Sequence, residues 1–137
     1  LLEQQQKVVS LTAYKVLSIE LAAGLGHTFY DNETDYETVY FDQEIQHDFA
    51  SWVSGDSMEP LYPNGSVALM KQTGFDYDGA VYALIWNGKT YIKKVYREAE
   101  GLRLESINPD YDDLFAPYED EPKIVGIVVG HFLPLEV

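Results

Sequence analysis

The sequence predicts a mainly β fold made of short antiparallel strands. Three observations predict it. Eleven of the 137 residues are tyrosine, and aromatic side chains fit a pleated, half-buried surface. Turn signals rich in Gly, Pro, Asn and Asp recur at short, regular intervals from Ser54 onward. The chain closes on "KIVGIVVGHFLPL", an apolar run of strand type. With 46% hydrophobic residues, the length suits one domain with a proper core.

The elements follow in order. "LLEQQQKVVS" is Gln-rich and weakly patterned, and residues 1–12 read as a linker from a missing N-terminal domain. Residues 13–137 form the folded domain. "AYKVLSIELAAG" starts as a strand by alternation and runs into Ala22, Ala23, Gly24 and Gly26. Small residues with two glycines suit a bending loop near 21–27 that lets another backbone come close. Asp31 to Asp48 hold seven carboxylates and no Lys or Arg, and read as an exposed loop followed by a short strand. "DNETD" has the spacing of a calcium loop, but Tyr36 stands where the sharp turn needs glycine. We expect no metal and no cofactor.

"FASWVSG" is a strand entering the segment "SGDSMEP". "YPNGS" is a turn and "VALMKQ" a strand; "DYDG" is a turn and "AVYALIW" a strand. Asn87-Gly88 is a hairpin signal, since both residues tolerate positive φ, and "KTYIKKVYRE" is the partner strand. "GLRLESIN" follows, then the polar connection "NPDYDDLFAPYEDE", then the closing strand.

Composition narrows the function. The net charge of −14 repels a phosphate backbone, whose contacts need Lys and Arg. Cysteine is absent, which removes disulfides and thiolate metal sites and fits an intracellular protein. No run reaches the ~18 apolar residues of a membrane span, so we expect no membrane partner and a cytoplasmic location.

Ser57, between an acidic residue and a methionine just after a glycine, is either part of a surface turn or a nucleophile at a strand end. A serine needs a base. His27, His47 and His131 sit in no nucleophile-type motif, and Glu59 occupies the place of the second glycine in a G-x-S-x-G elbow. The other base is a lysine made neutral by burial. In "TYIKKVY", alternation puts Lys93 with Tyr91 and Val95 on one face, and Lys94 with Ile92 and Tyr96 on the other. Alternation does not say which face looks inward, and both lysines are also explained as charges guarding an edge strand.

"VSGDSMEPLYPNGSVALM", "DGAVYALIWNGKTYIKKV", "LRLESINPDY" and "IVGIVVG" resemble the C-terminal domains of LexA-type self-cleaving repressors and their phage repressor relatives. The resemblance runs over nearly the whole chain from about Ser18. Lys93 follows Ser57 by 36 residues, and the small-residue bond Ala23-Gly24 lies upstream, its glycine 33 residues before Ser57. The resemblance implies the LexA/signal-peptidase-like β fold, Ser57 as nucleophile, Lys93 rather than Lys94 as base, and Ala23-Gly24 as the bond cut. It implies the backbone N–H groups of Ser57 and of Asp56 as oxyanion donors. It also implies a homodimer, formed through "GIVVGHF". The apolar closing strand "IVGIVVGHFLPL" reads as a long edge whose unpaired backbone groups would recruit a second copy of the chain. Operator DNA would be bound through the missing N-terminal domain, and a RecA filament would promote cleavage during DNA damage. Asp56 stands where the family often has an apolar residue. Three other readings share parts of this pattern: an inactive dimerisation module, a UmuD-type mutagenesis protein with the same dyad, and a signal peptidase.

Overall fold

A computed structural model describes residues 10–25 and 36–136. The strands are β1 (Thr12–Val16), β2 (Glu37–Phe41), β3 (Phe49–Trp52), β4 (Val67–Gln72), β5 (Val81–Trp86), β6 (Lys89–Arg97), β7 (Gly101–Glu105), β8 (Leu114–Pro117) and β9 (Lys123–Phe132). One helix, α1 (Ile19–Leu25), and one 3-10 turn, Tyr118–Asp120, complete the described elements. The strands form a single sheet in the order β2-β1-β3-β4-β9-β5-β6-β7-β8. The fold is therefore mainly β, as expected. Its pairings are antiparallel apart from β1 with β3, which meet in parallel at Val16 and Ala50.

Burial follows the period of two. On β4, Ala68 and Met70 enter one core cluster while Val67 and Leu69 enter another. On β5, Ala83 joins the first cluster, and Tyr82 and Leu84 join a third with Val95, Leu104 and Ala116. Apolar on both faces, β4 and β5 suit the middle of the sheet. The β5–β6 hairpin turns at Asn87 and Gly88, with φ of 52° and 74°, as a two-residue loop of this composition should. Its register sets Tyr82 opposite Lys93 and Val81 opposite Lys94.

Four expectations need correction. β1 begins at Thr12, inside the stretch read as linker; residues 1–9 lie outside the described ones. The loop expected near 21–27 is helical over its described part, because Ile19–Leu25 forms α1. Ser18 starts it: its Oγ accepts the Leu21 N–H at 3.0 Å, an N-capping bond. Ile19 and Ala22 bury one side of the helix in the first core cluster. The connection at 108–121 contains β8, which pairs with β7. Finally, β9 is not an edge strand. The 106–122 connection returns the chain so that β9 inserts between β4 and β5: Lys123 and Ile124 pair with β5, and Gly126 and Ile127 pair on both sides. Past Ile127 the strand pairs with β4 alone, so Val128–Phe132 keep one edge free of strand partners among the described residues.

Candidate active site

Ser57 lies in the turn that follows β3. Val53 continues the strand and is tied to the next loop: its N–H donates to the Ser66 carbonyl and its carbonyl accepts from Gly65, both at 2.8 Å. Gly55 then adopts φ +82°, a left-handed conformation that costs a side-chain-bearing residue energy. The Gly55 N–H donates to Asn64 Oδ1 at 2.7 Å. Met58 is almost fully buried in the first core cluster. The methionine thus anchors the turn while its neighbour Ser57 faces the cleft. The Glu59–Pro60 peptide is cis, and Pro60 leads the chain away.

Lys93 comes from the middle of β6. The strand alternates so that Lys93 and Val95 are buried, whereas Lys94 is half exposed. Lys93 Nζ donates to Ser57 Oγ at 2.6 Å. Burial pushes the Lys93 ammonium below its ordinary range, because a low-dielectric site disfavours the charged form. Lys94 does the opposite. Its pKa is raised, chiefly by Tyr96 and also by Glu105, whose carboxylate lies 3.5 Å away.

Ser57 and Lys93 share a cleft of about 140 Å³, walled by Trp52, Val53, Met58, Tyr91 and Ile92, with Ile19 of α1 reaching in. No described residue accepts the backbone N–H of Asp56 or Ser57. Those two donors stand beside the nucleophile. A serine bonded to a buried lysine, next to open backbone donors, can carry out acyl transfer.

The other sequence candidates are placed as follows. Ala23 and Gly24 lie in α1, and Ala23 lines a different depression, with Gln72, Gly74, Lys123 and Val125. His47 bonds the Ile45 carbonyl and packs on Tyr14, while His131 meets the Tyr62 ring edge-on. Neither lines the Ser57 cleft. His27 and Asp31–Asp35 lie outside the described residues. Among the described residues no group of three or more His, Asp or Glu is set to hold a metal, and no helix is long and apolar enough to cross a membrane.

Sequence reasoning missed the loop that holds the Ser57 turn. The Asn108 N–H donates to the Ser57 carbonyl at 2.9 Å, and the Tyr111 hydroxyl donates to the Asp56 carboxylate. The Asn-Pro-Asp-Tyr stretch signals a structured turn, but nothing in it says what the turn touches.

The Peptidase S24-like family profile matches residues 15–129. The chain belongs to that family. It is 42% identical to the Repressor protein CI of Enterobacteria phage phi80 over 77 residues, covering 55% of this chain and 32% of the phage protein. It is 30% identical to the LexA repressor of Lacticaseibacillus casei over 118 residues, 83% of this chain and 55% of that repressor. Against the LexA repressor of Citrifermentans bemidjiense it is 33% identical over 86 residues, 61% of this chain and 43% of the relative. The chain thus spans about a third to a half of the length of these relatives.

Proposed function

We propose that this chain is the autoproteolytic and dimerisation part of a transcriptional repressor and cuts its own Ala23-Gly24 bond. The observation that carries the reading is the 2.6 Å bond between Lys93 Nζ and Ser57 Oγ, made by a lysine that burial drives toward its neutral form. Neutral Lys93 takes the Ser57 proton as Oγ attacks the Ala23 carbonyl carbon. The Asp56 and Ser57 N–H groups receive the oxyanion. As the tetrahedral intermediate collapses, the C–N bond breaks and Lys93 gives its proton to the Gly24 nitrogen. Water, activated by Lys93, then hydrolyses the Ala23–Ser57 ester and frees the serine.

The bond must first reach the serine. In α1 the Ala23 carbonyl belongs to helical backbone, which cannot lie extended along a cleft. Cleavage therefore requires α1 to unwind and its small residues to thread past Ser57. Gly24 eases this, because glycine weakens a helix by about 1 kcal/mol relative to alanine. Tethering makes the attack effectively unimolecular. Docking also excludes water from Lys93 and favours its neutral form further. In the whole protein, the DNA-binding part would lie N-terminal to the cut, and an activated RecA filament would favour the docked state. Cutting would separate the DNA-binding heads from the dimer.

The reading is tested by mass spectrometry of the purified chain after incubation at alkaline pH. The expected products meet at Ala23/Gly24, and Ser57→Ala gives none. A cut at another bond, or an undiminished cut in Ser57→Ala, contradicts it.

A further inference from the structure

The segment between β7 and β8 grips the Ser57 turn at three points. The Asn108 N–H donates to the Ser57 carbonyl at 2.9 Å. Asn108 Nδ2 donates to the Asp56 carbonyl at 3.1 Å. The Tyr111 hydroxyl donates to Asp56 Oδ1. The segment is itself ordered: the Asp110 N–H donates to Asn108 Oδ1 at 2.9 Å, which turns the Asn108 amide nitrogen toward Asp56, and the Tyr111 N–H donates to the Asn108 carbonyl at 3.2 Å. The Tyr111 ring lies 5.9 Å from Lys93 Nζ. One loop therefore reaches both members of the Ser57–Lys93 pair, although it belongs to neither strand that carries them.

We infer that Asp56, through its side chain, together with Asn108 and Tyr111, are positioning residues that hold Ser57 in attacking geometry. The inference rests on the reading of Ser57 as nucleophile. The physical need is specific. Gly55, immediately before Asp56, sits at φ +82° with nothing within 4 Å of its would-be side chain. Its N–H is held by Asn64 Oδ1 at 2.7 Å, but no packing beside its Cα restrains the chain on the way to Asp56. Met58 fixes the far side of Ser57, so the near side needs its own tie, and the Asp56 carboxylate supplies it. A hydrogen bond to a charged acceptor is the stronger kind. The hydrogen bond to the Asp56 carboxylate also holds the Tyr111 phenol above its ordinary pKa. That shift favours the protonated phenol, the form that donates to Asp56. None of the three side chains needs to touch the Ala23-Gly24 bond. Their effect reaches the reaction through the placement of Ser57 Oγ.

The test uses two readouts on the purified chain: the first-order rate of self-cleavage, and the rate at which a small fluorophosphonate labels Ser57. The second does not depend on docking of the cleavage segment. Asp56 and Tyr111 are both exposed, so their variants should fold, and melting temperatures check this. Tyr111→Phe and Asp56→Ala should each slow both readouts about tenfold or more, with melting temperature unchanged. The double variant should be no slower than either single one, because both remove the same interaction. Asp56→Asn, which keeps an acceptor oxygen, should recover most of the rate. Tyr111→Phe at the wild-type rate, or single effects that multiply in the double variant, would overturn the inference while leaving the dyad intact. A wild-type chain that neither labels at Ser57 nor cuts itself would overturn the functional reading beneath it.

Discussion

Lys93 and Lys94 are adjacent in sequence and opposite in surroundings. Lys93 is buried against Ser57. Lys94 is half exposed and paired with Glu105. Lys93→Ala should therefore abolish self-cleavage, and Lys94→Ala should leave the rate within about twofold, since partly exposed ion pairs contribute little. Equal or reversed effects in a cleavage assay would contradict the register of β6. Lys93 also opposes folding. Burial lowers its folded-state pKa, so the folded chain holds that proton less tightly than the unfolded chain does. This penalty is full below the folded-state pKa and disappears as pH rises past the ordinary lysine value of about 10.4. Lys93→Met should accordingly raise the melting temperature at neutral pH, and by less as pH approaches 10. Thermal melts across that range check it; a gain that grew with pH would show the sign to be wrong.

At the scale of elements, the turn after β3 depends on one backbone conformation. Gly55→Ala meets no atom within 4 Å, yet φ is +82°. The cost is backbone strain alone, about 1–2 kcal/mol, and denaturant unfolding should read a loss of that size. No loss would mean that the turn relaxes. Most strands were legible because their boundaries are punctuated: Asn87-Gly88 marks a hairpin whatever its surroundings, and "VALMKQ" is apolar at every position that β4 buries. α1 was not legible. Val16 and Leu17 extend a strand pattern, and Ala22, Ala23 and Gly24 suggest a bend. The helix owes its existence to the tertiary packing of Ile19 and Ala22. β8 was hidden for a related reason. Only Ala116 of its four residues is buried, and Asp112 and Asp113 precede it, so no alternation shows. In the site, Ser57 and its two candidate lysines could be found from residue type and strand period. The choice of Lys93 came from a family resemblance, and the Asp56–Tyr111 tie joins residues 55 positions apart, which no local pattern reveals.

The molecule as a whole is acidic, with a net charge of −14. It should not bind duplex DNA at physiological salt, where affinity depends on phosphate contacts from Lys and Arg. Dimerisation was expected from the closing strand as an exposed edge, and the topology narrows that expectation to its second half. Val128–Phe132 pair with β4 on one side only, and Val129 is 43% exposed. Unpaired strand groups recruit another chain, and a two-fold axis there would pair the segment with its own copy. Sedimentation should give a dimer at tens of micromolar, roughly the range where such dimers persist. Val129→Lys should shift it toward monomer. A wild-type monomer at that concentration, or a variant that stays dimeric, would place the interface elsewhere.

The central claim is that Ser57 cuts this chain with a neutral lysine as its base. The most direct measurement is the rate of self-cleavage against pH from 6 to 11, repeated at several protein concentrations. The account predicts a rate that rises with pH and levels off with a midpoint below the ordinary lysine value of about 10.4, because burial lowers Lys93. It also predicts a first-order rate constant that does not change with dilution. A rate flat in pH, or one that falls as the protein is diluted, would contradict it.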